Sequence, residues 1–171
     1  PNNESPAPLP AADPAAVAPA NEMMLSVPYG TAPLTGVRIE SLRTLLADVA
    51  RRAQRASVIV TSYPGRYCLL GNPAEGYQPA PDDLLHAKCD LVGNPYDEAL
   101  GAAQREPVSV ASLGASVRRD TAGLVDLRLV TGRSDVLAAA YPAVTDRLTA
   151  GEWNRAASAN NRVEIRVRIA P

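Results

Sequence analysis

Side chains able to perform chemistry are few in this chain. The one histidine, His86, lies in a stretch rich in proline and glycine. Ser109, Ser112 and Ser116 follow a helical pattern without the Gly-x-Ser-x-Gly turn of a hydrolase nucleophile. The sequence also shows no phosphate-binding loop, paired catalytic carboxylates or cluster of metal ligands. We therefore predict a protein that is not an enzyme and that uses no metal or cofactor.

The two cysteines, Cys68 and Cys89, lie in this same Pro/Gly-rich stretch. An even number of cysteines inside one loop favours a disulfide formed in an oxidising compartment. Such a bond would close about 22 residues and contribute about 3 kcal/mol of stability. The alternative is a pair of unrelated thiols.

Composition limits the class of protein. The chain has 171 residues and 46% hydrophobic content, enough for one core, which must be built from Leu, Val, Ile and Ala because there is no Phe and only one Trp. A net charge of −1 gives no indication of a nucleic-acid partner. No run of 18 apolar residues is present, so no transmembrane helix is predicted, and membrane attachment is expected only through an N-terminal anchor that the sequence does not show. Because the sequence begins at Pro rather than Met, we expect a processed chain from which a signal sequence or a lipidated Cys has been removed.

The first 21 residues differ from the rest in composition. They contain six Pro and seven Ala and almost no large apolar residue. Such a segment is typical of a semi-extended tether, and in polyproline form it would span about 60 Å. The alternative is a disordered terminus.

Apolar periodicity predicts an α/β domain over residues 22–171. Residues 163–169 alternate strictly between apolar and charged, as expected for a strand with one buried face. Residues 57–62 are almost continuously apolar, so we expect burial on both faces. We predict strands at 23–27, 57–62, 125–130 and 163–169. We predict helices at 38–55 and at 135–148, the latter broken at Pro142, and a further helix that opens at 97–104 and is kinked or ended at Pro107. Residues 151–160 are expected to be a polar connection.

Residues 63–96 interrupt this pattern with repeated prolines and glycines. A loop of this length inside a compact domain is usually functional or disordered. The predicted disulfide argues that it is ordered. Within it, 82–88 is expected to form a short helical turn.

The last strand is introduced by Asn160-Asn161-Arg162-Val163-Glu164-Ile165. Asn-x-Arg-Val-Glu-Ile at the end of a domain of this length resembles the final strand of OmpA-like domains, periplasmic modules that usually hold peptidoglycan without covalent bonds. The resemblance covers residues 24–62 and 97–169. It implies a βαβαβ-type mixed sheet with helices on one face, to which this chain adds the disulfide-closed insertion 63–96.

The resemblance also shows where a ligand would be held. Members that bind peptidoglycan carry Gly-His-Thr-Asp after the second strand and Asn-x-x-Leu-Ser-x-x-Arg-Ala on the next helix, and the Asp and Arg clasp the charged ends of diaminopimelate. Here Pro64 stands at the Asp position. Asp97 opens the helical motif, but Gln104 stands at the Arg position. Arg105 follows one residue later, about 100° around the helix.

The degenerate clasp therefore comprises Pro64, Asp97, Gln104, Arg105 and Arg162. Loss of a charge partner at each end of a zwitterion is expected to cost several kcal/mol of binding. The inserted loop offers replacement charges, although solvated loop residues are the simpler interpretation. These charges are Asp82, Asp83, Lys88 and Asp90.

These patterns favour a non-enzymatic structural subunit of the periplasm of a Gram-negative bacterium, associated with the outer membrane. Its partners would be proteins of an envelope-spanning assembly, such as a type IV secretion or conjugation, pilus or motility complex. The alternative is a non-covalent peptidoglycan anchor with a rearranged site. A third interpretation is an unrelated α/β domain in which Arg166 and Arg168 protect a sheet edge.

Overall fold

The computed structural model describes residues 22–52, 54–95 and 108–170. The chain has mixed α/β structure, with two separate sheets. The strands are β1 (Glu22–Ser26), β2 (Ala56–Tyr63), β3 (Tyr67–Asn72), β4 (Gly76–Pro79), β5 (Leu91–Gly93), β6 (Val125–Thr131) and β7 (Arg162–Ile169). The helices are α1 (Val37–Arg51), α2 (Val108–Asp120) and α3 (Ala150–Asn160), with a 3-10 turn at His86–Lys88.

The larger sheet has the strand order β1-β7-β2-β6. The last strand, β7, lies between β1 and β2 and is antiparallel to both, whereas β2 and β6 are parallel. Strict alternation in β7 places Val163, Ile165 and Val167 on one buried face. These side chains share a core with Leu42 and Leu46 of α1. The strand predicted at 163–169 is therefore confirmed, and it is central to the sheet.

The second face of the larger sheet is partly open, so the prediction that β2 is buried on both faces is wrong. Val58 and Val60 are fully buried, but Ile59 between them is only half-buried. Helices α1 and α2 contribute side chains to the core on the face that bears Val58 and Val60. On the opposite face, Ile59 pairs with Arg166 and Arg128, and the β7 residues Glu164, Arg166 and Arg168 are all charged.

Residues 67–93 form a second, smaller sheet, so the described part of the predicted loop 63–96 is not a long irregular loop. Its order is β4-β3-β5, and both pairings are antiparallel. The predicted Cys68–Cys89 disulfide is present and joins β3 to the chain just after the 3-10 turn, with a Cα–Cα distance of 5.4 Å. That turn lies within the helical segment predicted at 82–88. The sequence did not predict these strands, because each is only three to six residues long and lies among prolines and glycines.

The segment between β6 and β7 differs from its prediction in both halves. Residues 135–148 are not helical, and the helix is 150–160, which had been expected to be a polar connection. Helix α3 begins at a capping box in which the hydroxyl of Thr149 accepts from the Glu152 N–H and the Glu152 side chain accepts from the Thr149 N–H. Its buried positions are occupied by three alanines and Asn160, which gave a weak periodic signal. This helix packs mainly on the smaller sheet, against β3.

Candidate binding cleft between the two sheets

The closing motif of the sequence is a structural junction. The Asn161 amide nitrogen donates to the Val27 carbonyl over 2.6 Å. Its Oδ1 accepts from the Gly65 N–H over 3.0 Å and from the Asn94 side chain over 3.3 Å. Asn161 is buried, so these bonds form away from water. One side chain thus connects the end of β1, the exit of β2 and the exit of the smaller sheet.

The neighbouring Asn160 fixes the segment before α3 in the same manner. Its Oδ1 accepts from the N–H groups of Ala138 and Ala139, over 2.8 and 3.0 Å. Its amide nitrogen donates to the Ala139 carbonyl over 2.8 Å. These bonds satisfy backbone groups of 138–139 that a helix would otherwise have satisfied. They give the physical reason why this segment holds an extended path without regular structure.

Arg162 is directed into the fold. Its side chain is 3% exposed, and its guanidinium carbon lies 4.1 Å from the centre of the Tyr63 ring. Nε donates to Glu164 over 2.9 Å, while the terminal nitrogens donate to the carbonyls of Asn160 and Val136. A buried guanidinium needs such partners. The geometry accounts for Arg at this position through packing and hydrogen bonding inside the domain.

The remaining positions of the predicted clasp are divided. Asp97, Gln104 and Arg105 lie outside the described residues. Pro64 follows β2 directly and is half-buried. At Gly65, an added Cβ would lie only 2.1 Å from the Ala157 carbonyl oxygen, so the chain passes against the end of α3 with no room for a side chain. Among the described positions, the structure brings Pro64 and Arg162 to the same end of the larger sheet.

A cleft of about 370 Å³ lies between the two sheets and opens to solvent. Its lining comes from the end of β1 and the turn after it, from β3, from the exit of β4 and from α3. The lining residues are Ser26, Val27, Pro28, Tyr29, Tyr67, Pro79, Ala80, Asp82, Asn154 and Ser158. None of these was a predicted clasp residue, although Asp82 was a candidate replacement charge.

Tyr29 and Tyr67 contribute to the apolar wall of the cleft, and Tyr67 is only 3% exposed. The rings of Tyr29 and Tyr67 meet edge to face with their centres 5.0 Å apart. The Tyr29 hydroxyl donates to the Tyr77 carbonyl over 3.0 Å. Burial raises the pKa of both the Tyr29 and the Tyr67 phenol. Both groups are therefore neutral near pH 7, and the cleft presents aromatic surface rather than charge on this side.

Some polar groups of the cleft already form hydrogen bonds within the protein. Asn154 accepts from the Cys68 N–H over 2.7 Å and donates to the Cys68 carbonyl over 3.1 Å. Asp82 is the one acidic residue of the lining, which contains no Lys or Arg among the residues that the structure describes. Asp90 acts elsewhere, accepting from the Gly71 N–H over 2.9 Å. Asp83 and Lys88 are exposed.

An aromatic stack stabilises the opposite side of α3. The Trp153 ring lies 4.5 Å from His86 and 4.5 Å from Tyr141, centre to centre. The indole N–H of Trp153 donates to the Arg66 carbonyl, and the Tyr141 hydroxyl accepts from the Arg66 N–H. His86 thus packs as an aromatic ring against Trp153.

Two kinds of functional feature, a metal site and a membrane-spanning helix, are absent from the part of the chain that the structure describes. Within it, no group of three or more His, Cys, Asp or Glu is placed to hold a metal ion. No described helix is long and apolar enough to cross a membrane. Among known proteins, no family model, no curated protein and no solved structure matches this chain.

Proposed function

We propose that this protein is a non-enzymatic structural subunit of the periplasm, associated with the outer membrane, in which an OmpA-like domain binds other proteins of an envelope-spanning assembly. The observation that carries the proposal is Arg162. Its guanidinium is held inside the domain by Tyr63, Glu164 and the Asn160 carbonyl. The residues that carry the family resemblance thus have a role in the fold that requires no ligand.

The order of elements supports the choice of family. A strand, a Leu-rich helix and a second strand open the domain, and the closing strand lies between them in the sheet. Helices α1 and α2 pack on one face of this sheet. The implied arrangement differs at α3, which packs on the inserted sheet.

The disulfide supports an extracytoplasmic location. Cys68 of β3 is fully buried in a cluster with Ala150 of α3, and its partner Cys89 is half-buried. Disulfides of this kind persist in oxidising compartments, among them the bacterial periplasm. The bond closes the inserted sheet, so the insertion depends on that compartment for part of its stability.

Exposed apolar side chains near the inserted sheet support a role in protein binding. Leu85, Val136 and Leu137 are each exposed by about two-fifths, and Val144 is exposed by 67%. Contiguous exposed apolar surface marks interaction sites, and these four side chains are the candidates for such a surface beside α3. These four belong to the two segments that lie against α3, 80–88 and 132–149.

Photo-crosslinking in cells tests this proposal. A photoreactive residue at Val144 or Leu85 is expected to give a small number of discrete protein adducts, identified by mass spectrometry as envelope proteins. The matched control is Val37, which is 78% exposed but lies at the start of α1, the helix that packs on the larger sheet. Adducts that are absent, or equal in number and identity at Val37, would contradict the proposal.

The second candidate is a peptidoglycan anchor with a rearranged site, and one observation favours it. Asp82 supplies a carboxylate to the cleft, where the ammonium group of a diaminopimelate would need one. This function predicts saturable binding to peptidoglycan that Asp82→Asn removes. The exposed Asp83→Asn change is the matched control, because it alters the same charge next to the cleft without changing its lining.

A further inference from the structure

Two of the six tyrosines of the chain, Tyr29 and Tyr67, line the cleft. Behind this lining they pack in one cluster with β3, α3, Tyr77 and Tyr141. Two prolines, Pro28 and Pro79, complete the apolar wall beside Tyr29 and Tyr67. Grooves lined by aromatic side chains are the surfaces that bind proline-rich segments, since a polyproline helix is already extended and loses little entropy on binding.

The chain itself carries a segment of that chemistry. Residues 6–12 read Pro-Ala-Pro-Leu-Pro-Ala-Ala and contain no charged residue. Leu9 is one of the few large apolar residues before β1. An uncharged, proline-rich stretch matches a cleft whose apolar lining includes tyrosine and proline and in which Asp82 is the one charged residue among the described lining residues.

Chain length permits this contact. Residue 22 begins β1, and β1 leads toward the cleft, because Ser26 at its end is part of the lining. The four residue steps along β1 span about 13 Å at 3.3 Å per residue. The first 21 residues in polyproline form span about 60 Å. The segment is therefore long enough to turn back along β1 and to place residues 8–10 in the cleft.

A weak contact is sufficient for such an arrangement. The cleft is small and would take only about three residues, so the expected affinity of an isolated peptide is low. Joining the segment to the same chain raises its effective concentration to the millimolar range. An interaction too weak to detect between separate molecules is then well populated within one molecule.

We propose that the Tyr29–Tyr67 cleft is a docking site for the chain's own Pro8-Leu9-Pro10, so that the N-terminal segment folds back on the domain. This inference does not depend on the function proposed above. Docking would shorten the reach of the tether, and a partner that competes for the cleft would release it. The occupant is a polyproline segment of the same chain; a second copy of the chain is an outcome of the test.

Paramagnetic relaxation enhancement in the full chain tests the docking. A nitroxide attached at Ala12→Cys, with the native disulfide intact, is expected to remove most of the amide signal intensity of Tyr29, Ala80 and Ser158. Reduction of the nitroxide restores those signals. Tyr29→Ser and Leu9→Ser are each expected to abolish the loss. The second variant keeps the test informative if Tyr29→Ser disturbs the fold.

The matched control is Met24→Ser, an exposed residue of β1 that does not line the cleft; it is expected to leave the intensity loss intact. Unchanged intensities at the cleft, or a loss that survives Leu9→Ser, would overturn the proposal. Docking within one chain is distinguished from docking between two copies by a mixed sample, which contains isotope-labelled chain without nitroxide and unlabelled chain with nitroxide. Signal loss in that mixture would assign the cleft to a second copy and would also overturn it.

Discussion

The two sheets of this protein are stabilised in different ways. The larger sheet and its helices α1 and α2 share one apolar core of Leu, Val and Ile side chains. The smaller sheet has only small clusters around Leu69, Tyr67 and Cys68 and relies on the disulfide and on hydrogen bonds from Asn154 and Asn161. Periodic apolar burial is visible in a sequence, whereas a fold held by single side-chain bonds is not. The difference also predicts how each region should fail.

The largest effect is expected from the core of the larger sheet. Leu42 of α1 is fully buried against β2 and β7. Leu42→Ala is expected to lower the free energy of unfolding by about 2–5 kcal/mol through lost burial and the cavity left behind. Urea denaturation measures it, with both regions unfolding together. Met24→Ala, at a position that is 61% exposed, is the control and should stay within about 0.5 kcal/mol of the parent.

Loss of the disulfide should separate the two regions. The double change Cys68→Ser and Cys89→Ser opens a loop with a sequence separation of 21 and is expected to destabilise the inserted sheet by about 3 kcal/mol. Hydrogen exchange should accelerate in β3 and β5, while amides of β2 and β7 keep their protection. Equal acceleration in both sheets would show that they form one cooperative unit.

Asn161 tests the junction between the regions. Asn161→Ala leaves the Gly65 N–H and the Val27 carbonyl without their buried partner and is expected to cost about 2 kcal/mol. Asn72→Ala is a matched control, because the Asn72 side chain also makes two hydrogen bonds to the backbone, accepting from the N–H groups of Ala74 and Glu75, but is exposed to water. Thermal unfolding of the two variants gives the comparison. A similar loss in both would remove the argument that burial makes Asn161 important.

The smallest effect is an alkaline one confined to the smaller sheet. Burial raises the pKa of Tyr67, so the folded state keeps this proton at a pH where the unfolded chain has released it. The stability contribution is complete below about pH 10, the ordinary phenol range, and declines as the pH rises above it. Urea midpoints measured between pH 8 and 11 should fall, and Tyr67→Phe should make that fall shallower. An identical slope in Tyr67→Phe would show that other groups cause it.

The sequence predicted most of the larger sheet because its elements repeat apolar residues at regular spacing. β7 alternates between Val or Ile and charged residues, and α1 repeats Leu at helical steps. Helix α3 was missed because its buried residues are three alanines and Asn160, which give a weak apolar periodicity, and the capping box of Thr149 and Glu152 was the signal available. The helix predicted at 135–148 failed because Asn160 offers its backbone an alternative set of hydrogen bonds.

The site was predictable only in part. Cysteine count and placement were enough to predict Cys68–Cys89. The burial of Arg162 was not predictable, because its partners Tyr63 and Val136 are distant in sequence. Tyr29, Tyr67 and Ser158 come from three elements and meet only after the smaller sheet has formed. A cleft assembled across two sheets leaves no local pattern.

Co-sedimentation of the full chain with purified, diaminopimelate-containing peptidoglycan tests the central claim most directly. The claim is that the closing motif serves the fold and that the domain binds proteins rather than the cell wall. We predict that the pelleted fraction stays at the level of an unrelated control protein and does not saturate with increasing peptidoglycan. Saturable binding that Asp82→Asn abolishes and Asp83→Asn preserves would contradict the claim and would identify the cleft as a cell-wall site.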